Sequence, residues 1–155
     1  VRAAAAGLAA LALAACSPTP KGEGPPPPAA AAPSPKAVVE AFQKLAFEEH
    51  KPVEATLKYI APDVIEHDVN TPGGREAILA FMRKRDWTNS RMKATVHRTI
   101  AEGDLVAVHH HVVEGPDDPG VAFVDIFRVK DGLIVEHWDV AQPVPKQPAN
   151  PIGMF

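Results

Sequence analysis

The chain has 155 residues, 46% of them apolar and 6% aromatic, enough for one domain and no more. A net charge of −3 with no Lys/Arg cluster argues against nucleic acid as a partner. The single cysteine excludes an internal disulfide, so the fold must rest on its core alone.

At the start, Arg2 precedes an Ala/Leu-rich run, Ala3 to Ala14, which ends in Leu13-Ala14-Ala15-Cys16. The run is too short to span a bilayer, which takes about 20 apolar residues. A positive start, a short apolar stretch and small residues at a cut site have the shape of a secretory signal. Leu13-Ala14-Ala15-Cys16 resembles the lipobox of bacterial lipoproteins. That resemblance implies a signal peptide over 1–15, lipidation of Cys16, and a partner membrane held through that lipid anchor. Ser17 after the cysteine resembles the outer-membrane sorting pattern of some bacteria. An ordinary signal peptide with an incidental thiol at Cys16 is the alternative. Either way the expected location is the cell envelope, facing the periplasm or the exterior. Residues 16–34, with Pro25-Pro26-Pro27-Pro28 followed by Ala29 to Ala32, read as a Pro/Ala-rich tether that extends and buries nothing.

The domain is expected over 35–142. Ser34 supplies a helix N-cap and Pro35 the first helical position. Val38, Val39, Phe42, Leu45 and Ala46 then recur at helical spacing. Lys51-Pro52 breaks this helix, and a second runs from Pro52 to about Ile60, ended by Pro62. Asp63 to Asp68 reads as extended and contains Glu66-His67-Asp68. Thr71-Pro72-Gly73-Gly74 is a turn, and a third helix over Arg75 to Arg85 carries Ala77, Ile78, Phe81 and Met82 on one face. From Met92 the pattern alternates. It predicts strands over Ala94–Ala101 and Leu105–Glu114 around a Glu102-Gly103-Asp104 turn, then a loop over Gly115–Gly120 and a hairpin over Val121–Gln142. Residues 143–155 form a Pro-rich tail.

The hairpin allows two registers. A three-residue loop, Lys130-Asp131-Gly132, pairs Asp125 with His137 and Phe123 with Asp139, and is the favoured reading. One face then carries two carboxylates and an imidazole among Phe and Val side chains. A two-residue loop, Asp131-Gly132, sets Asp125 opposite Trp138 and sends His137 and Asp139 to the other side. His109 and His111 face alike and His110 faces away; His97 joins His109 and His111 if the preceding turn has three residues. The favoured parity gathers His67, His109, His111, Asp125, His137 and Asp139 in one pocket, walled by Phe42, Phe123 and Phe127. There Asp125 could orient His137 as a general base, or stay protonated among apolar walls and donate a hydrogen bond. His-x-His with a further His and a carboxylate is also an acceptable zinc or iron ligand set. A pocket that binds without chemistry is the third reading. Arg128 and Glu136 pair on the opposite face, where Trp138, Val124, Ile126 and Ile134 make an apolar outer surface.

Three helices before an antiparallel meander make an α+β arrangement. Ile65-Glu66-His67 before the Gly-Gly turn, the run Ile100 to His109, and Val135-Glu136-His137-Trp138-Asp139 resemble the NTF2-like superfamily, in particular its SnoaL-like branch. Asn150-Pro151-Ile152-Gly153-Met154-Phe155 resembles the tail of SnoaL-like aldol-condensation enzymes. The resemblance covers about Pro35 to Phe155. It implies a cone of three N-terminal helices packed on a curved antiparallel sheet, a small organic ligand, no cofactor, and a homodimer through the outer sheet face. As an activity it implies proton transfer next to a carbonyl, of the polyketide cyclase-like or isomerase type. By likeness to ketosteroid isomerases, Asp125 matches a buried Asp that donates to an oxyanion and His67 stands near their general base. Phe42 stands where they carry a Tyr, which removes half of the oxyanion hole and speaks against steroid isomerisation. In SnoaL-like cyclases a pocket Asp is the base, a role open to Asp139 or Asp125.

Overall fold

The computed structural model of the chain describes residues 32–71 and 73–155. The expected signal peptide, Cys16 and all but the end of the tether lie outside the described residues. Helix α1, Pro35–Gln43, starts where Ser34 Oγ accepts a hydrogen bond from the Ala37 amide at 3.2 Å. It runs on as a π-helical turn, Lys44–Glu48, that keeps Leu45 and Ala46 buried. Helix α2, Pro52–Tyr59, follows the break at Lys51-Pro52. Ile60 does not close α2, as its apolar spacing suggests, but opens strand β1, Ile60–Glu66. Pro62 sits inside this strand, where pairing slips between Ile60 and Ile65 and a missing N–H costs no ladder bond. Helix α3, Arg75–Met82, stops short of Arg85 as the chain tightens into a Lys84-to-Phe81 backbone bond.

Strands β2 (Lys93–Glu102), β3 (Leu105–Val113), β4 (Val121–Lys130) and β5 (Leu133–Pro143) complete a sheet of order β1-β5-β4-β3-β2. Neighbours are antiparallel except β1, which runs parallel to β5. The sheet is therefore mixed, which corrects the antiparallel expectation. The reason is that α3 and three strands intervene between β1 and its partner, long enough to return the chain in the same direction. One face packs on the helices through Val39, Phe42, Ala55, Val106, Val108 and Ile134, all nearly inaccessible to water. This is the α+β cone of helices on a curved sheet. Among the described residues no helix is long and apolar enough to cross a membrane.

The hairpin loop is two residues, not three. Asp131 and Gly132 both have positive φ, 52° and 80°, the requirement of a type I′ turn. Pairing starts as Lys130–Leu133 and Val129–Ile134, then skips Val135 and resumes as Arg128–Glu136, Phe127–His137 and Asp125–Asp139. The bulge at Val135 restores the parity that the short loop would have inverted. Asp125, His137 and Asp139 therefore share one inward face, although Asp125 opposes Asp139 and not His137. Ile134, expected on the outer surface, precedes the bulge and is fully buried.

Candidate functional site

Between the helices and the inner face of the sheet lies a cavity of about 310 Å³. The helices line it only with apolar side chains, among them Phe42, Phe47 and Phe81. Its polar groups come from the turn after β1, the sheet and the loop after β3: Glu66 and Asp68, His137 and Asp139 from β5, Asp125 from β4, His110 from β3, and Glu114 just past its end. Glu114 is neutralised by Arg85 in a two-pronged ion pair. A shallower depression over Lys51, Val53, Glu54, Leu57 and Lys58 has only exposed charges and no buried polar group.

The polar groups form a connected row. His137 Nδ1 lies 2.8 Å from Glu66 Oε1, and its Nε2 lies 3.7 Å from Asp125 Oδ1. The other oxygen of Asp125 is 2.9 Å from His110 Nε2 and accepts from Gln43 Nε2 at 3.4 Å. Phe127 stacks on the His137 ring at 4.9 Å between centroids, and Phe42 meets Phe127 edge-on at 6.0 Å. The row is largely buried: the Glu66 and His110 side chains are each 4% exposed, Asp125 11% and His137 20%.

Burial by itself pushes the His137 imidazole down, but the Asp125 and Glu66 carboxylates outweigh it and the pKa is pushed up to about 10. His137 is thus a cation at neutral pH and cannot serve there as the general base expected of it. Burial likewise pushes the Asp125 carboxyl up, and the His110 and His137 imidazoles beside its two oxygens hold it below its ordinary value. Asp125 is therefore ionised, not the protonated donor allowed from sequence. The group displaced upward is Asp139, through burial first and then the charge of Asp68, and no hydrogen bond opposes the shift. Burial raises Asp68 too, but the Asn70 amide and the Thr71 and Asn70 side chains bring it below the usual range.

Phe42, Phe123 and Phe127 line the cavity with Asp125, His137 and Asp139. Three expected members are absent. His67 points outward because Val64, Glu66 and Asp68 take the inward positions on either side of it. Its Nε2 lies 3.0 Å from Glu136 Oε1 and its ring stacks on Trp138 at 4.9 Å. His109 and His111 also lie on the outer face, because Val106, Val108 and His110 hold the inward positions of β3. His109 pairs with Arg98, and burial followed by that guanidinium's charge pushes its pKa down. His111 Nε2 is 2.8 Å from Pro119 O. His97, at a bulge in β2, joins them around Phe155, whose ring stacks on His97 at 4.5 Å. The proposed metal ligand set is thereby divided between two faces. Among the described residues no group of three His, Cys, Asp or Glu side chains is placed to hold an ion.

Among the cavity residues that sequence reasoning missed are Glu66, Asp68 and His110. The signal was present: Val64-x-Glu66-x-Asp68 continues an alternation that an apolar residue begins. In β3, Val106 and Val108 outsize Ala107 and mark the inward parity that leads to His110.

A family model described as a SnoaL-like domain matches residues 38–137. Among solved structures, IdmH of Streptomyces antibioticus, described as a candidate polyketide cyclase, is 25% identical, with 69% of this chain and 91% of that one covered at a TM-score of 0.55. A candidate ketosteroid isomerase from Kribbella flavida is 21% identical, with 75% and 83% covered at a TM-score of 0.59. An NTF2-like protein from Cytophaga hutchinsonii is 18% identical, with 71% and 91% covered at a TM-score of 0.57. The last two establish likeness of fold alone. No curated protein matches the sequence significantly. With the family match running from the first helix to His137, on an NTF2-like cone, the chain belongs to the SnoaL-like family.

Proposed function

We propose that the cavity binds a small, mostly apolar carbonyl compound and moves a proton at the carbon next to that carbonyl, as aldol-type cyclisation or isomerisation requires. The observation that carries this reading is a buried imidazolium, His137, held between Glu66 and Asp125 beside a carboxylate, Asp139, whose pKa is raised. Removing a proton next to a carbonyl puts negative charge on its oxygen. A fixed cation in a largely buried pocket stabilises that charge without having to reorganise. His137 serves as this donor, and Glu66 and Asp125 keep it charged. Asp139 takes the proton and returns it. A carboxylate with a raised pKa is the stronger base, and Asp139 has no internal hydrogen bond to give up. Phe123 and Phe127 supply the apolar walls. The description of IdmH as a candidate polyketide cyclase supports the same reaction class.

The test is deuterium uptake by 2-tetralone next to its carbonyl, followed by proton NMR in heavy water. Wild-type protein is expected to accelerate uptake. Asp139→Asn and His137→Gln should each lower the catalysed rate by about 100-fold or more while 2-tetralone affinity changes only a few-fold. Saturable binding with no exchange would leave a binding module in place of an enzyme.

Two further features belong to this reading. Leu13-Ala14-Ala15-Cys16 and the proline-rich stretch after it support a mature protein anchored by a lipid on Cys16 at the cell envelope, facing the periplasm or the exterior. A purified mature protein whose mass shows no acyl chain on Cys16 refutes this. On the outer sheet face Ile100, Val124 and Val140 are 65%, 38% and 69% exposed, which supports a homodimer through that face. Sedimentation as a monomer refutes it.

A further inference from the structure

His110 has no part in the steps above, yet it is the most deeply buried polar residue lining the cavity, at 3% exposure. It fills an aromatic slot, with ring centroids 5.4 Å from Phe123 and 6.4 Å from Phe47. Neither ring nitrogen makes a well-aligned hydrogen bond. A buried polar group without good partners costs free energy that a Phe or Leu in the same slot would not. The nearest polar atom to Nε2 is Asp125 Oδ2, at 2.9 Å.

That contact has a direction. An ionised carboxylate only accepts, so the nitrogen facing it must carry the hydrogen, which places a proton on His110 Nε2. The Asp125 oxygens are then divided: Oδ2 toward His110 and Gln43, Oδ1 toward His137. A carboxylate with donors on one oxygen only would turn toward them. It would also be harder to keep ionised at this depth. His137 depends on that charge, because among the described residues no other carboxylate lies within 4 Å of its Nε2.

We propose that His110 is the positioning residue of the site, holding Asp125 ionised with Oδ1 turned to His137 so that His137 stays a charged donor. His110 acts through Asp125 and need not touch the ligand. The catalytic consequence rests on the proton-transfer reading above; the coupling between His110 and His137 does not. The charged groups facing His137 are Glu66 and Asp68 from β1 and its turn, Asp125 from β4 and Asp139 from β5. The helices contribute none, and Arg85 beyond α3 is occupied by Glu114. Asp125 is thus the only one of these carboxylates that His110 contacts.

The experiment is imidazole NMR on the full chain, wild type beside His110→Phe and His110→Gln. Phe refills the slot without a donor, and Gln restores an N–H. In His110→Phe the His137 titration midpoint should fall by about one pH unit or more, and in His110→Gln it should stay within about half a unit of wild type. In the 2-tetralone assay the Phe variant should lose about tenfold or more in kcat with KM changed less than about threefold, and Gln should recover most of the loss. A folded Phe variant with an unmoved His137 midpoint overturns the proposal. So does a folded Gln variant as impaired as Phe. Should the Phe variant not fold, wild type still decides: nitrogen shifts showing His110 Nε2 without a proton overturn the proposal, and a protonated Nε2 supports it. No exchange by wild type, with the His110-dependent midpoint intact, would sink the proton-transfer reading and leave the coupling standing.

Discussion

The two faces of the sheet carry similar residues and do different things with them. On the outer face Arg128 donates to Glu136 at 2.9 Å and to Asp104 at 3.0 Å, and Glu136 also meets His67. On the inner face Glu66, Asp125, His110 and His137 make a chain of similar length. The difference is water. The Arg128 side chain is 36% exposed and its pairs are screened, so they align the hairpin and little else. Inside, similar contacts carry His137 up to about 10, because every ionised form must be held there by a partner. Strand parity decides which histidines of this protein face the cavity.

The largest effect should come from cutting the inner chain. Asp125→Ala leaves His137 half-held and His110 facing nothing. It should cost about 3–5 kcal/mol in urea-denaturation stability, the range for removing one partner of a buried ion pair. Glu136→Ala, the matching cut outside, should move the midpoint far less. Equal midpoints for the two variants would erase the contrast between the faces.

Next in size is a pH dependence that only the inner face can produce. His137 has a folded pKa of about 10 against an unfolded value near 6.5. Its contribution is therefore full below about pH 6.5 and is lost as pH rises from there through about 10, at a limiting slope of about 1.4 kcal/mol per unit. Asp125 has the opposite sign: a lowered carboxyl contributes above its unfolded value of 3.8 and fails as pH falls below it. Stability measured by denaturation across pH should thus decline on the alkaline side. His137→Gln should flatten that limb. An alkaline limb unchanged in the variant would remove His137 from its place as the buried cation.

Much of this was legible before any coordinates, for uneven reasons. The helices announced themselves through Ser34-Pro35, Pro52 and apolar spacing, because caps and prolines act locally. The shared face of Asp125, His137 and Asp139 was reached by way of the wrong loop. A two-residue turn plus a bulge at Val135 has the same parity as a three-residue turn, and nothing local in Ile134-Val135-Glu136 marks the extra residue. The parallel pairing of β1 with β5 is a long-range fact that alternation does not encode. His67 follows the outward parity set by Val64, Glu66 and Asp68, against its likeness to the general base of the isomerases.

A smaller effect, of reversed sign, is expected at Asp139. Its carboxyl is raised, so its charge is less welcome in the folded state than in the unfolded one, and the penalty appears as pH climbs through its titration. Asp139→Asn should therefore melt slightly higher than wild type at neutral pH while losing exchange of 2-tetralone. Stability held back where chemistry needs an ionised group is the expected trade at a working site. A lower melting temperature together with normal exchange would move Asp139 out of both roles.

The smallest effect tests parity itself. His109 and His111 flank His110 in sequence, and their rings lie 5.4 Å and 4.5 Å from Phe155 across the sheet from the cavity. Replacing either with Ala removes an outer contact and touches neither Asp125 nor His137. Exchange of 2-tetralone by each variant should stay within about twofold of wild type, and stability should fall by about 1 kcal/mol, the worth of one lost hydrogen bond. His110→Phe, one residue away from both, should lose about tenfold. If all three variants behaved alike, the loss would follow the strand as a whole, and the division of β3 into a working and a covering side would fail.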